Sequence, residues 1–199
     1  MYRRGMRLLL LARHGQSAFN VSGVVNGDPA LDRGLSPLGM DEGRKLAGQV
    51  AGIAIDLCVV SEFPRAQQTA RLALEGREEI RWEVDRELND IRIGELDGRT
   101  LEDYRTWKRT HTRKDPFPGG ESLDASARRY ADAYERLLVR DEGVILCVCH
   151  EIPVRYAVNA AAGSDQLDGP LHDVANATPY AFDPDGLRRA VGRIRELAG

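Results

Sequence analysis

Short apolar runs alternate along this chain with segments whose apolar residues recur at helical spacing. Three of the runs are almost continuous, at residues 7–12 (RLLLLA), 57–60 (LCVV) and 144–149 (VILCVC). Continuous apolar runs of this length are typical of strands that are covered on both faces. Strands that alternate with helices predict an α/β fold, a three-layer sandwich whose mostly parallel central sheet carries helices on both faces.

Residues that favour helix N-termini occur between these apolar runs and indicate where helices begin. Ser or Thr caps, or Pro in the first turn, mark five predicted helix starts. The predicted helices cover approximately residues 37–52, 64–74, 101–110, 123–140 and 153–162. Residues 174–194 are predicted to form two short strands around the turn Asp183-Pro184-Asp185-Gly186.

Residues 85–121 interrupt the alternation. The segment is rich in charge and is broken by Gly94, Gly98, Pro116 and Pro118. It is too short to form a core of its own, and a long insertion over one end of a sheet is more often a lid or a substrate wall. We therefore expect one domain over residues 1–199, with a lid or insert at residues 99–120.

Charge and composition exclude several classes of protein. The net charge of the 199 residues is −3, so a general nucleic-acid-binding surface is not expected. Cys58, Cys147 and Cys149 are odd in number and lie in apolar runs, which favours a cytoplasmic protein with free thiols. The apolar stretch 8–12 is shorter than a secretory core or a membrane span requires, so no membrane association is expected.

Candidate catalytic side chains follow the predicted strands. His14 comes after the first apolar run and His150 after the last. Because ligands of open α/β sheets bind outside the carboxyl ends of the strands, both imidazoles are expected in one crevice, next to Arg13. Arg65 is expected at a helix N-terminus, where free N–H groups and a guanidinium favour an anion. Taken alone, Arg65 is also explained as a surface arginine that pairs with Glu62.

A metal site is a weaker interpretation of the same region. Cys147, Cys149 and His150 are candidate ligands, but the two cysteines share one strand face and no further ligand pair follows. We therefore expect neither a metal nor another cofactor.

Several elements of the chain, in this order, resemble the motifs of the histidine phosphatase superfamily, also called the phosphoglycerate mutase-like family. They are Arg13-His14-Gly15-Gln16-Ser17 with Asn20, then residues 26–27 and 35–39, residues 61–70, residues 88–98, Gly120-Glu121-Ser122, and Cys149-His150-Glu151. The resemblance covers nearly the whole chain, and the order and spacing of the elements make it specific.

The resemblance implies a role for each residue of the site. His14 would be the nucleophile that forms a phosphohistidine, while Arg13, Arg65 and His150 would hold the phosphoryl oxygens, with assistance from Asn20. Phosphoryl transfer asks mainly for positioning and charge stabilisation, which two arginines and a histidine can supply without Mg²⁺. A carboxyl group must protonate the leaving oxygen and later activate water.

Two residues depart from the family pattern. Asp90 stands where this branch usually has Glu, and it is shorter by one methylene. Glu151 follows the second histidine, where this branch commonly has Gly and where a more distant branch, the acid phosphatases and phytases, places its proton donor. The sequence favours Asp90 as the acid and leaves Glu151 as the alternative; Glu151 is also explained as a carboxylate at a helix N-terminus.

The leading hypothesis is a metal-independent phosphomonoesterase that hydrolyses a small phosphorylated metabolite through a phosphohistidine. The first alternative is phosphoglycerate mutase-type phosphoryl transfer. The resemblance implies that mutases carry a longer insertion, a C-terminal extension and paired arginines. The closest match to that pair here is Arg109 and Arg113, which are unpaired, so hydrolysis is expected to dominate. The second alternative is a non-catalytic phosphate-binding module. The expected partner is a small phosphate ester, and a homodimer is left open.

Overall fold

The apolar runs form the centre of a five-stranded sheet in the computed structural model, which describes residues 5–199. The strands are β1 (Leu8–Arg13), β2 (Leu57–Val60), β3 (Arg81–Val84), β4 (Val144–Cys149) and β5 (Pro179–Phe182). Their spatial order is β3-β2-β4-β1-β5, with four parallel strands and β5 antiparallel to β1. The expected mostly parallel sheet is therefore confirmed.

Seven α-helices accompany the sheet within residues 5–199. They are α1 (Ala18–Ser22), α2 (Pro37–Val50), α3 (Pro64–Ala73), α4 (Leu101–Thr110), α5 (Leu123–Leu138), α6 (Glu151–Ala161) and α7 (Pro184–Leu197). Successive residues of a strand face opposite sides of the sheet. Leu9 and Leu11 accordingly pack with α5, α6 and α7, whereas Leu10 and Ala12 pack with α2 and α3. Both faces are covered, which explains why the apolar runs are continuous and confirms the three-layer architecture.

The prediction of two strands in residues 174–194 is wrong for the second strand. Only β5 forms, and α7 follows it at once. Asp183 caps this helix by accepting the backbone N–H of Gly186 at 2.6 Å, with Pro184 at the first helical position. Asp-Pro suits a helix start as well as a turn, and the buried positions 187, 190, 191 and 194 have helical spacing, which decides between them.

Two further differences concern element limits. β3 was not among the predicted strands, because its sequence RWEV is charged and its residues are only partly buried at the sheet edge. Helix α6 begins at Glu151, two residues before the predicted start, with His150 as its N-cap residue. Pro153 is tolerated in the first turn, where backbone N–H groups have no partner inside the helix.

The inserted segment places α4 beside the carboxyl edge of the sheet. Thr100 and Asp103 form a reciprocal capping box at its start, as the sequence predicts. The backbone of Leu101 donates to the carbonyl of Gly23 at 2.9 Å, and Val25 bonds the backbone of residues 98 and 99. These bonds hold the start of α4 against the loop that follows α1. No helix within residues 5–199 is both long and apolar enough to cross a membrane.

Candidate active site

Two histidines meet at the carboxyl edge of the sheet. His14 follows β1, and His150 follows β4. Because β1 and β4 are parallel neighbours in register, with Arg13 opposite Cys149, both strands end at the same level. The imidazole centroids are 5.3 Å apart in an edge-to-face arrangement, and both side chains are buried. The two rings therefore meet as expected, but only His14 lines the cavity, while His150 is fully buried next to it.

Hydrogen bonds fix the tautomer of His14. Its Nδ1 lies 2.6 Å from the carbonyl oxygen of Gly15, which can only accept, so Nδ1 carries the proton. Nε2 then holds the lone pair, and the Nε–H of Arg65 donates to it at 3.1 Å. Burial, followed by the charges of Arg65 and Arg13, holds the pKa of His14 well below its ordinary value of 6.5. His14 is therefore a neutral imidazole with its free electron pair on Nε2.

The backbone around His14 depends on Gly15. A Cβ atom at this position would collide with the carbonyl group of Gly39 in α2, so only glycine allows the loop to approach the helix. The Gly15 N–H donates to Thr69 Oγ1 at 2.9 Å, and the same hydroxyl donates to the carbonyl of Arg65 at 2.7 Å. Thr69 thereby links the His14 loop to helix α3.

His150 has the opposite tautomer. A guanidinium cannot accept a hydrogen bond, so Arg65 Nη2 donates to Nδ1 of His150 at 3.3 Å, and Nδ1 is unprotonated. Nε2–H donates to Ser61 Oγ at 2.9 Å. Burial, followed by the charge of Arg65, lowers the pKa of His150 well below 6.5. His150 is thus neutral, with Nδ1 facing Asp90 Oδ2 at 3.5 Å.

Arg65 joins the histidines to the surrounding loops. It is the second residue of α3, and its side chain is 4% exposed. Nη1 donates to Asn26 Oδ1 at 2.6 Å and lies 3.3 Å from the Asp32 carboxylate, while Nη2 lies 3.2 Å from Asp90. The alternative of a surface ion pair with Glu62 is wrong, because the guanidinium points into the site. The expected position at a helix N-terminus is confirmed.

Asp32 is a site residue that sequence reasoning misses. Its carboxylate is fully buried, and it accepts the backbone N–H of Arg65 at 2.8 Å in addition to the ion pair. It therefore fixes both the start of α3 and the guanidinium. In the sequence Asp32 lies in a polar loop, where an aspartate indicates a turn. Its contact with Arg65 spans 33 positions of the sequence, and the pattern of apolar residues does not reveal such a contact.

Asp90 lies at the junction of the two histidines and Arg65. Its side chain is 25% exposed and lines the cavity. The backbone N–H of Ile91 donates to Oδ1 at 3.0 Å, which leaves Oδ2 toward Arg65 and His150. Desolvation raises the pKa of Asp90 above its ordinary value of 3.8, and the charge of Arg65 opposes part of that rise.

A buried network holds the Asp90 loop in place. Arg129 in α5 donates to the carbonyl oxygens of Glu87 and Asn89 at 2.7 and 3.0 Å. Glu121 pairs with Arg129 and accepts the backbone N–H of Arg92 at 3.0 Å. The Gly-Glu-Ser element predicted from the sequence thus supports the acid loop through the carboxylate of Glu121.

Glu151 contacts the other arginine of the site. One of its oxygens lies 3.0 Å from Arg13 Nη1, and its other oxygen pairs with Arg155, one turn later in α6. Arg13 Nη1 also donates to the carbonyl of Val174 at 2.9 Å. Arg13 and Glu151 both line the cavity that contains His14.

Asn20 lines the same cavity from helix α1. Its side-chain oxygen accepts the backbone N–H of Ser17 at 3.0 Å, in a capping box that begins this helix. The amide NH₂ is therefore the part of Asn20 that is available to an acceptor such as a phosphoryl oxygen.

The cavity above the histidines has a volume of about 640 Å³, within the range of small-molecule sites. Helix α4 supplies one wall, through Leu101, Tyr104, Arg105, Lys108 and Arg109. The expectation that the inserted segment forms a substrate wall agrees with this position.

Arg113 lies outside the cavity. Its guanidinium bonds Asp124, Asp168 and the hydroxyl of Tyr156, outside the residues that line the cavity. Arg109 does line the cavity, but it donates to Glu102 on the same helix at 2.7 Å. Arg109 and Arg113 therefore do not form a pair of substrate-binding arginines, in agreement with the sequence analysis.

The cysteines lie apart from this chemistry. Cys147 and Cys149 belong to the apolar core with α5 and α6, on the opposite face of the sheet from Cys58. Within residues 5–199, no group of three or more His, Cys, Asp or Glu side chains has a geometry that could hold a metal ion.

Comparison with known proteins decides the family. The family model of the histidine phosphatase superfamily (branch 1) matches residues 9–196. This chain belongs to the histidine phosphatase superfamily. The resemblance predicted from the sequence motifs is therefore confirmed.

Members of the superfamily with different names are similar to this chain. A protein of Parvibaculum lavamentivorans, named 2,3-bisphosphoglycerate-dependent phosphoglycerate mutase, is 36% identical over 196 residues, 89% of this chain and 90% of the relative. A protein of the same name from Methylobacterium sp. (strain 4-46) is 37% identical over 138 residues, 62% of this chain and 64% of the relative. The crystal structure of the α-ribazole phosphatase from Shigella flexneri superposes with a TM-score of 0.76 at 26% identity, covering 88% of this chain and 90% of that one.

Proposed function

We propose that this histidine phosphatase superfamily member is a metal-independent phosphomonoesterase that hydrolyses a small phosphorylated metabolite through a phosphohistidine on His14. One observation supports the proposal most. The Nδ1 proton of His14 is held by the Gly15 carbonyl, so its lone pair lies on Nε2, in a cavity that Arg13 and Arg65 also line. A neutral imidazole beside fixed positive charge is suited to attack on an anionic phosphorus.

In the first step, a bond forms between His14 Nε2 and phosphorus while the ester P–O bond breaks. The Nε–H of Arg65, which now donates to Nε2, would turn to a phosphoryl oxygen as the ester binds. Arg13 and the Asn20 amide would hold the remaining oxygens, and His150 would join them when its Nδ1, which faces Asp90, carries a proton. The positive charge that develops on the phosphorylated ring is stabilised by the hydrogen bond from Nδ1 to the Gly15 carbonyl.

The acid of this step is Asp90 in our proposal. Its pKa is raised by burial, which favours the protonated form that donates to the leaving oxygen. In the second step, Asp90 takes a proton from water, the water oxygen bonds to phosphorus and the Nε2–P bond breaks. Inorganic phosphate and a neutral His14 result.

Glu151 is less suited to the acid role. Both of its carboxylate oxygens are engaged by guanidiniums, one from Arg13 and one from Arg155. Asp90 instead has one oxygen facing both Arg65 and His150 Nδ1, at 3.2 and 3.5 Å. The geometry therefore supports the preference for Asp90 that the sequence suggested.

Phosphoglycerate mutase-type transfer is the second candidate. It is favoured by the name of the Parvibaculum relative and by the basic side chains that α4 directs to the cavity. This chain spans 90% of that relative, so chain length does not separate the two functions. A mutase must protect its phosphohistidine from water while the bound intermediate reorients, whereas a hydrolase must admit water to the phosphohistidine.

The product of the reaction distinguishes these candidates. We expect the purified protein, in the presence of a metal chelator, to release phosphate from p-nitrophenyl phosphate and from members of a panel of phosphorylated metabolites. With 3-phosphoglycerate and catalytic 2,3-bisphosphoglycerate, it should form little 2-phosphoglycerate. Rapid isomerisation without phosphate release would instead support the mutase function. If no phosphate ester is turned over, the result would support a non-catalytic phosphate-binding module.

A further inference from the structure

Arg13, which our proposal assigns to the phosphoryl group, already has a carboxylate partner. Its Nη1 lies 3.0 Å from Glu151 and donates to the Val174 carbonyl at 2.9 Å. The side chain is 17% exposed, and its Nε is buried without a hydrogen-bond partner among residues 5–199. A phosphoryl group that binds Arg13 therefore has to share this guanidinium with Glu151 or displace it.

Glu151 is itself placed between two guanidiniums. Arg155, four residues later on α6, pairs with its second oxygen, and Arg155 also lies 3.2 Å from Asp168. The Arg155 side chain is 12% exposed, so this pair is poorly screened by solvent. Arg13, Glu151, Arg155 and Asp168 thus form a row of alternating charges, of which the first three line the cavity.

These four alternating charges constrain phosphate binding. A phosphoryl dianion beside Arg13 is repelled by the Glu151 carboxylate, and two like charges in a partly buried site are costly. Arg155 is the cation that can neutralise Glu151 while leaving Arg13 free. Because Arg155 is attached to the same helix as Glu151, the carboxylate can turn from one arginine to the other without movement of the backbone.

We propose that Glu151 is an internal competitor of the phosphoryl group for Arg13, and that Arg155 is the positioning residue that draws Glu151 away when a phosphate ester binds. This inference rests on the proposed function, because it takes Arg13 as a phosphoryl-binding residue. It gives Glu151 a role distinct from proton donation, and it assigns the affinity for phosphate partly to Arg155.

The test is a double-mutant cycle read by calorimetric titration with inorganic phosphate. Arg155→Gln should raise the Kd about tenfold, because Glu151 then has Arg13 as its remaining cation. Glu151→Gln should lower the Kd below that of wild type, since an amide oxygen still accepts from Arg13 but carries no charge. In the Arg155→Gln/Glu151→Gln protein, the Kd should return to within about threefold of wild type, because the competitor is gone.

Asp168→Asn is the matched control. It removes the other carboxylate of Arg155, which frees this guanidinium for Glu151, so the Kd should stay within about threefold of wild type or fall. If Arg155 served only to tie α6 to the Asp168 loop, Asp168→Asn and Arg155→Gln would weaken binding alike. Arg155→Lys retains the charge and should bind phosphate nearly as wild type does, which guards against a folding defect in Arg155→Gln.

The outcomes separate this inference from the function on which it rests. Wild-type protein that binds no phosphate would contradict the proposed function itself. Wild-type protein that binds phosphate, together with an unchanged Kd in Arg155→Gln, would overturn the competitor role alone. A double variant as weak as Arg155→Gln would also overturn it, because Arg155 would then contact the phosphate directly.

Discussion

Two cations line the cavity in different surroundings. Arg65 belongs to the floor of the cavity, by which we mean the group His14, Arg65, Asp90 and His150, whereas Lys108 belongs to the wall formed by α4. Arg65 is almost fully buried and contacts both histidines, Asn26 and two carboxylates. Among residues 5–199, no carboxylate lies within ion-pair distance of Lys108, whose ammonium sits 5.6 Å from the Tyr104 ring. Partial burial lowers the pKa of Lys108.

The difference shows where the site is rigid and where it can vary. A floor residue with many buried partners cannot change without disturbing the others, so the chemistry of the reaction belongs there. The basic cavity-facing side chains of α4 (Arg105, Lys108 and Arg109) have few partners outside their own helix, so we expect substitutions there to alter which ester binds while the reacting groups stay in place. The following predictions test this division, from the largest expected effect to the smallest.

His14→Ala should abolish the reaction. Removing the nucleophile is expected to lower kcat by about 10⁴-fold or more, since no other side chain can form the intermediate. The rate of p-nitrophenyl phosphate hydrolysis measures the effect. His172→Ala, at an exposed position that is not among the cavity-lining residues, is the control and should keep wild-type turnover. Near-wild-type activity in His14→Ala would contradict the assignment of the floor.

Asp90→Asn should discriminate between leaving groups. The loss is expected to reach about 10³-fold for alkyl phosphates, which need a proton on the leaving oxygen, and to be much smaller for p-nitrophenyl phosphate.

The pH profile gives a second readout of Asp90. Its raised pKa means that the acid form persists above the ordinary 3.8, so the wild-type rate on alkyl esters should fall as pH rises through that raised pKa. His14 stays neutral below pH 6.5, because its pKa is lowered, and it should not limit the rate there. Asp90→Asn should lose the alkaline limb. If Glu151→Gln loses it instead, Glu151 is the acid.

Arg65→Lys should lower kcat by about 10²-fold, because an ammonium retains the charge but cannot reproduce the fork that contacts His14, Asn26 and Asp90 together. Steady-state kinetics with p-nitrophenyl phosphate measures the loss. Arg188→Lys is the matched control, since its ion pair with Asp185 is at the surface. Equal activity of the two variants would show that the buried network of Arg65 is dispensable.

Lys108→Met should have the smallest effect and the most selective one. We expect KM to rise by about tenfold or less for esters that carry a second anionic group, such as 3-phosphoglycerate, and the rise to shrink at high salt. The kcat for p-nitrophenyl phosphate should change by less than about twofold, because the floor is untouched. A comparable loss of kcat/KM on 3-phosphoglycerate and on p-nitrophenyl phosphate would contradict the distinction between floor and wall.

The floor was largely predictable because its residues follow apolar strands. His14 and His150 come directly after buried runs, and parallel strands bring their carboxyl ends together. Arg65 follows β2 in the same way, at a helix start marked by Pro64. The apolar runs thus located His14, His150 and Arg65, whereas Asp90 and Asn20 were identified through the resemblance to the family motifs.

The remaining residues depend on contacts that periodicity cannot show. Asp32 lies in a loop and is informative only through its buried pairing with Arg65. The engagement of Glu151 by two arginines was not predictable either, because it depends on how the start of α6 faces β1. The C-terminal helix α7 was missed because Asp-Pro suits both a turn and a helix cap.

The most direct test of the central claim is the identity of the phosphorylated atom. The protein should be mixed with a rapidly cleaved phosphate ester, denatured in alkali and examined by phosphorus NMR and peptide mass spectrometry. The tautomer of His14 predicts a base-stable, acid-labile phosphoryl group on Nε2 of that residue. Turnover with no phosphoprotein, or a phosphoryl group on any other atom, would contradict a reaction through the His14 lone pair.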